Sequence, residues 1–464
     1  NDRAQPEPYV TEKLSLRSRS LNRNNSIAVG ATNTYCQNII GCGLRPQSTL
    51  RADRLGISEE EAAAIRTQAE TVFESFSATA DIGNRNTFYD LQTLTFRKII
   101  EDGEVLALMG WADDPWRSIK RVIQLLECDQ LAGGGPDAPD GIVLGANGQP
   151  VSYRIYNRPQ REPYNSLFKD PTDITEIPAQ DAQGRPKILH LFRVLRPGQT
   201  RGIPLFAPVI NAFKDLADYF EAEAVAARVA ACVSLVITKN DPYAAQLGAT
   251  VKDNDESRLQ YLEPGLVHYA STGESVSMVD PKRPGTQFEP FVEQSLRMIG
   301  VALDLPFELI MKNFSKTNYS SARAALLEAR RTFLWWRSWF INRFCLPIWG
   351  LVFEEGVRRG YINAPLFDEL NYRAEYIRCS YVGPAFGWVD PVKEIEAAGM
   401  AVDLGLSTQA EQAAAAGSDW EEILVQRARE QARARELGVI IGTGTKGVTS
   451  AVANEPAGAA AGGA

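Results

Sequence analysis

Residues 288–346 read FEPFVEQSLRMIGVALDLPFELIMKNFSKTNYSSARAALLEARRTFLWWRSWFINRFCL, and their spacing sets the frame for the rest of the chain. Val292, Leu296, Ile299 and Leu303 recur every three or four residues, which predicts a helix over 288–305 with one apolar face. Pro306 stops it, because proline lacks the amide and clashes with the preceding turn. A polar stretch, 311–320, follows, and Ser320 or Ser321 can cap a second helix running to about residue 346. On that helix Leu326, Phe333, Trp336, Phe340 and Phe344 form an aromatic stripe, which at this spacing is a core-facing surface rather than a cofactor box.

Upstream, Phe213, Leu216, Phe220, Ala224, Ala227 and Ala231 predict a long helix over 208–236, whose alanines permit close approach of a neighbour. Between the two helices, 238–286 breaks into short strand candidates at 261–262, 267–269 and 276–279. Nearer the start, Ala28, Ala31, Tyr35 and Ile39 predict a short helix ending at Gly41 and Gly43. Ser58 caps a helix over 59–76 with Ile65, Ala69, Val72 and Phe76 inward. A third helix is expected over 87–109. Strands at 142–144 and 151–156 flank Ala146-Asn147-Gly148, a hairpin turn tolerant of positive φ, and 188–194 is a further strand. Two helices, 391–404 and 408–436, separated by Gly405-Leu406-Ser407 and capped by Ser407 or Thr408, precede a Gly/Ala-rich tail over 441–464. The order defines an α+β chain.

A chain of 464 residues with 44% hydrophobic content can bury a large core. Its net charge of −8 argues against a dedicated nucleic-acid binder. Six scattered cysteines (Cys36, Cys42, Cys128, Cys232, Cys345, Cys379) and two histidines (His190, His268) offer no metal-ligand spacing, so no metal and no cofactor is expected. The apolar run 333–353 is broken by Arg337, Arg343 and Pro347, so no membrane span is expected. The chain opens on Asn1 with no apolar leader nearby, and the gene product is expected to begin upstream. Gly442-x-Gly444-x-x-Gly447 lacks the following helix and strand that a dinucleotide site needs. There is no GxxxxGK[ST] phosphate loop, no GxSxG elbow and no HExxH pair, and the chain is therefore expected not to be an enzyme.

Several short motifs occur in one order over residues 20–430: Leu21-x-Arg23-Asn24-Asn25, Gly198-Gln199-Thr200-Arg201-Gly202, Phe291-Val292-Glu293-Gln294-Ser295-Leu296, Asn318-Tyr319-Ser320-Ser321-Ala322-Arg323-Ala324, and Gly405-Leu406-Ser407-Thr408 followed by Gly417-x-Asp419. In these the chain resembles the lambda-type portal proteins of tailed bacteriophages. It departs from them over 131–186 and in the tail.

The resemblance implies a portal fold and a dodecameric ring at one capsid vertex, the channel for DNA packaging and ejection. Residues 1–19 would be an arm, 20–207 and 321–390 the α/β wing with a long kinked helix, 208–237 and 287–305 the stem helices, 238–286 a small α/β clip, 306–320 the tunnel loop and 391–440 a helical crown. The implied partners are the major capsid protein, a scaffolding protein, the terminase large subunit, a head-completion or tail adaptor, and double-stranded DNA. The place is the virion, after assembly in the host cytoplasm.

Twelve copies at −8 each carry −96, which repels a sliding polyanion except where local cations offset it. In the loop Met311, Lys312, Asn313, Phe314, Ser315, Lys316, Thr317 and Asn318 would face DNA, with Lys312 and Lys316 as the cations. Arg323, Arg330, Arg337 and Arg343 share roughly one helix face and are candidate intersubunit contacts. The alternatives are a packaging motor, a maturation protease and a head-to-tail adaptor. The motor lacks its phosphate loop here, the protease its nucleophile and base, and an adaptor would not need this helix, insert, helix and loop series.

Overall fold

The computed structural model describes residues 8–135, 137–157, 173–231, 235–239, 251–252, 258–259, 274–278, 288–315, 317–386 and 391–439. His268, Lys316, Cys232, the strands expected at 261–262 and 267–269, and the glycine pattern at 442–447 lie outside them. The chain divides into two compact units, 1–389 and 390–464.

The first unit begins with α1 (Pro8–Asn24), where the resemblance implied only an arm. It is polar, yet Ser15, Ser18 and Asn22 are buried, as an ion pair and two hydrogen bonds tie it to the helices Ser26–Ile39 and Phe88–Asp102. Asn25 then caps α2 (Ser26–Ile39), accepting from the amides of Ile27 and Ala28, and Ala28, Ala31, Tyr35 and Ile39 all face the core. β1 (Arg45–Ser48) and α3 (Ala52–Leu55) lead to α4 (Glu59–Ser77). Ser58 and Glu61 form the reciprocal capping box, and the expected face Ile65, Ala69, Val72 and Phe76 is buried.

The helix expected over 87–109 is shorter. α5 (Phe88–Asp102) ends at Gly103, with φ of 88°, and 104–111 is strand. A Cβ at Gly103 would lie 2.3 Å from the Ile203 carbonyl carbon, so only glycine lets these backbones meet. Once the turn is made, β2 (Glu104–Trp111) pairs antiparallel with β3 (Arg121–Leu126) on one side and β7 (Ile188–Phe192) on the other, overriding the helical leaning of Leu106-Ala107-Leu108-Met109. β4 (Ile142–Leu144), β5 (Pro150–Tyr156) and β6 (Ile174–Pro178) form a second three-stranded sheet, with the expected turn at 146–148. Leu106, Leu126, Cys128, Ile142, Tyr153, Ile155 and Ile188 make the small core between the sheets.

α6 (Ile210–Ala231) is shorter than the expected 208–237. The β-branched run that follows is β8 (Leu235–Lys239), paired antiparallel with β11 (Glu274–Met278), while β9 (Val251–Lys252) pairs with β10 (Arg258–Leu259). The described residues of the insert between the long helices are all strand. α7 (Phe288–Ala302) and a short α8 (Phe307–Met311) precede α9 (Tyr319–Phe340). The helix expected to end near 346 instead continues through one π turn, Ile341–Cys345, into α10 (Leu346–Arg358). The wider turn keeps Phe340, Phe344, Ile348 and Trp349 all buried, and Pro347 falls at the start of α10, where a missing amide is tolerated. α11 (Leu370–Tyr376) and β12 (Cys379–Val382) close the unit, β12 pairing with β1.

The core of this unit is largely aromatic. Phe73 packs edge-on to Phe88 at 5.3 Å and against Trp349 at 5.3 Å, Phe88 stacks on Phe344, and Phe96 meets Trp336 and Phe340 edge-on. α9 and α10 are therefore the spine on which α2, α4 and α5 pack.

The second unit holds α12 (Pro391–Asp403), α13 (Gln409–Ala415) and α14 (Trp420–Leu437). The single helix expected over 408–436 is broken in two. Gly417, with φ of 77°, turns the chain, and Asp419 caps α14 by accepting from Glu421 and Glu422. Thr408 forms a capping box with Glu411 at the start of α13.

Candidate functional site

The polar stretch after α7 is a tightly turned loop rather than a slack one. Leu303 and Leu305 are buried at its root, and the Tyr35 hydroxyl donates to the Leu303 carbonyl. Gly300 gives this turn room, since a Cβ there would sit 2.6 Å from the Leu305 oxygen. α8 occupies 307–311, where only loop was expected, and Ile310 pins it to the core. Lys312 adopts left-handed φ of 53° and closes α8, its amide donating to the Glu308 carbonyl. Met311, Lys312, Asn313, Phe314, Ser315 and Asn318 are exposed and Thr317 is half-buried.

Side chains hold the loop to its own backbone. Asn313 accepts from the Ser315 amide at 3.0 Å, and the Thr317 hydroxyl donates to the Phe314 carbonyl at 2.9 Å. Asn318, not Ser320 or Ser321, caps α9, accepting from the Ser321 amide at 2.9 Å. A short cap-to-cap loop of this kind projects Lys312 and Phe314 into solvent from a fixed root.

The four arginines of the α9 region separate. Arg323 and Arg343 are exposed. Arg330 lies half-buried with its guanidinium over the Phe386 ring at 4.5 Å. Arg337 is engaged within the chain: it donates to the carbonyls of Asn38 (2.7 Å), Ile39 (3.1 Å) and Pro384 (3.0 Å), with Phe386 beneath it. Burial, and then the neighbouring Arg330, push its pKa down to about 10. Arg337 stitches α9 to the end of α2 and to residues 383–386.

A second polar centre was not anticipated from the sequence. Glu104, at the start of β2, is fully buried and receives Arg201 at 2.7 and 2.6 Å on one oxygen. Its other oxygen accepts the Gly202 amide at 2.7 Å and lies 3.0 Å from His190 Nε2. Burial alone would raise the Glu104 pKa, but the charge of Arg201 and the bonds from His190 and Arg201 outweigh it and hold it at about 2. Gly202 is required here, because a Cβ would lie 2.3 Å from the Gly103 oxygen. The 198–202 motif is thus the loop that supplies the partners of a buried ion cluster. Its only sequence signal was an arginine between two glycines.

Cys128 Sγ, His190 and Glu104 come within 4.8 Å of one another, a donor set that could hold a metal. The fit fails on charge and occupancy: both Glu104 oxygens already have partners, and the Arg201 guanidinium already balances the carboxylate charge. The cluster is structural. So is the network on α1, where Arg19 pairs with Asp102 at 2.7 and 2.9 Å and contacts Asp129, while Lys98 reaches Asp102 at 3.3 Å and Glu127 at 3.0 Å.

These features define a helix-and-sheet building block that projects a capped loop, its buried charges serving packing rather than chemistry. The profile of the lambda family of phage portal proteins matches residues 8–337. Portal protein B of Escherichia phage lambda is 23% identical over 459 residues, covering 92% of this chain and 84% of that protein. The portal protein of Escherichia phage N15 is 23% identical, with 92% and 85% covered. Among solved structures, a chain from the neck of a native GTA particle computed with C12 symmetry aligns with TM-score 0.44 and 12% identity over 86% of this chain and 93% of that one. The chain belongs to the lambda family of phage portal proteins. These are structural proteins rather than enzymes.

Proposed function

We propose that this chain is one subunit of a dodecameric portal ring at a single capsid vertex, through which DNA is packaged and ejected. Family membership supports the reading, and the observation that carries it is the loop over 306–320, rooted by the buried Leu305 and Ile310 and ended by the Asn318 cap of α9. In such a ring α6 and α7 are the stem, the insert over 238–286 the clip, the loop over 306–320 with α8 the tunnel loop, residues 20–207 with 321–390 the wing, and residues 391–440 the crown. The clip is the docking site for the terminase large subunit first and the head-completion or tail adaptor later, and the wing faces the major capsid and scaffolding proteins. Assembly takes place in the host cytoplasm and the product stays in the virion. No helix among the described residues is long and apolar enough to cross a membrane.

An acidic ring repels DNA phosphates, so the strand slides rather than binds, and Lys312 with Lys316 supplies the sparse positive contacts. The test of the ring is native mass spectrometry with negative-stain imaging. A closed ring of about twelve subunits with a central hole is expected for this ring-forming, head-to-tail kind of contact; a monomer under assembly conditions overturns the reading. For the loop, changing Lys312 and Lys316 together to Ala should impair packaging or retention of DNA while the ring persists. Normal packaging and retention would remove the lysines from the mechanism.

A further inference from the structure

Among the described residues of the first unit, two uncovered faces carry opposite net charge. On α9 the side away from the core carries Leu327, Leu334 and Trp335, which are 47%, 46% and 47% exposed. The loop after β7 adds Val194 and Leu195, both more than half exposed. Arg193 pins that loop to the helix, its guanidinium 4.9 Å from the Trp335 ring and 5.6 Å from that of Trp336. The patch is therefore pre-shaped. Its charged groups are Arg193, Arg323, Arg331 and Arg343 against the single acid Glu328, which lies 3.1 Å from Arg331. Tryptophan and arginine are the residues enriched at the centres of protein interfaces, and here they stand among exposed apolar side chains.

The other face belongs to α6. Along residues 210–228 it buries only Phe213, Leu216 and Glu223, with Tyr219 against Phe288 and Phe291 of α7. A 22-residue helix with so little cover draws its stability from a further neighbour. Asp215, Asp218 and Glu221 are exposed on its outward side against the cations Lys214 and Arg228, which leaves the face net acidic, and Val225, 44% exposed, lies beside them.

We infer that the outward face of α6 in one copy docks on the α9 patch of the next copy, Asp218 and Glu221 meeting Arg323 and Arg331, and Val225 entering beside Leu334 and Trp335. Like faces would repel: basic on basic and acidic on acidic. The complementary pairing is between unlike patches, so the contact is head-to-tail and closes into a ring if the rotation per subunit allows it. The inference rests on the ring reading and names the seam of that ring.

Charge exchange on the full chain tests it. Arg323→Glu with Arg331→Glu, or Asp218→Lys with Glu221→Lys, should each raise the concentration needed for half assembly by about tenfold or more. The fourfold variant, with both charge signs exchanged, should recover rings in native mass spectrometry. As an independent readout, Val225→Cys with Leu334→Cys in a Cys42→Ser background should give an oxidised ladder of covalent multimers that neither single cysteine gives. Normal assembly of both double variants, or no recovery in the fourfold one, or no ladder from rings that do form, overturns the seam and leaves the ring reading standing. A wild-type chain that stays monomeric overturns the ring reading itself.

Discussion

At the scale of single residues, the charged groups that matter are the ones removed from water with a complete set of partners. Arg337 has three carbonyl acceptors and an aromatic floor, and a cation–carbonyl bond contributes about 1.5–3 kcal/mol. Arg337→Ala should therefore lower unfolding free energy by about 2–3 kcal/mol in denaturant titrations. A neutral result would mean that the side chain acts outside its own chain. Arg201→Ala should cost more, about 3–5 kcal/mol, because it leaves the buried Glu104 carboxylate uncompensated.

The same cluster has a pH signature. Glu104 is held at about 2, below its ordinary carboxylate value of 4.5, so its contribution is fully present above the ordinary value and is lost as pH falls from there through the folded value. The stability gap between wild type and Glu104→Gln, measured from pH 6 downward, should stay constant to about pH 5 and then shrink toward pH 2. A gap that is flat over the whole range would show that the carboxylate is not held low.

At the scale of elements, caps and turns decided the boundaries. Asn318→Ala removes the side-chain acceptor at the start of α9 and should cost about 1 kcal/mol, with faster amide exchange confined to the first turn and the loop before it. Unchanged exchange there would show that tertiary packing, not the cap, holds the loop. Capping patterns were legible where side chain and helix are adjacent in sequence: Ser58 and Thr408 stand where their spacing put them. The α5 to β2 boundary was not, since Gly103 turns the chain only because residues 202–204, far away in sequence, press against it. The π turn at 341–345 was hidden for a related reason. One extra residue per turn shifts the apolar period, and only the burial of Phe344 and Trp349 on both sides reveals it.

At the scale of the whole molecule, the insert between α6 and α7 is tied to the body through the ends of those two helices, with β8 and β11 side by side at its base. Replacing 238–286 with a short flexible linker should leave a ring that no longer binds the packaging motor, measured by co-sedimentation. Unchanged motor binding would place the docking surface elsewhere on the subunit.

The order of elements, the apolar faces of α2, α4 and α9, the hairpin turn at 146–148 and the family itself were determined by the sequence alone. Each depends on periodicity, local turn chemistry or motifs that neighbouring residues carry together. What only the tertiary structure decided is the assignment of the charges. Glu104, His190, Arg201 and Cys128 come from four separate segments, and Arg337 finds its carbonyls on two others, so no local pattern marks them. Arg331 and Arg337 look alike in a linear sequence. One is 81% exposed and the other lies against the chain's own backbone, because a six-residue step on a helix turns a side chain from the solvent face toward the core.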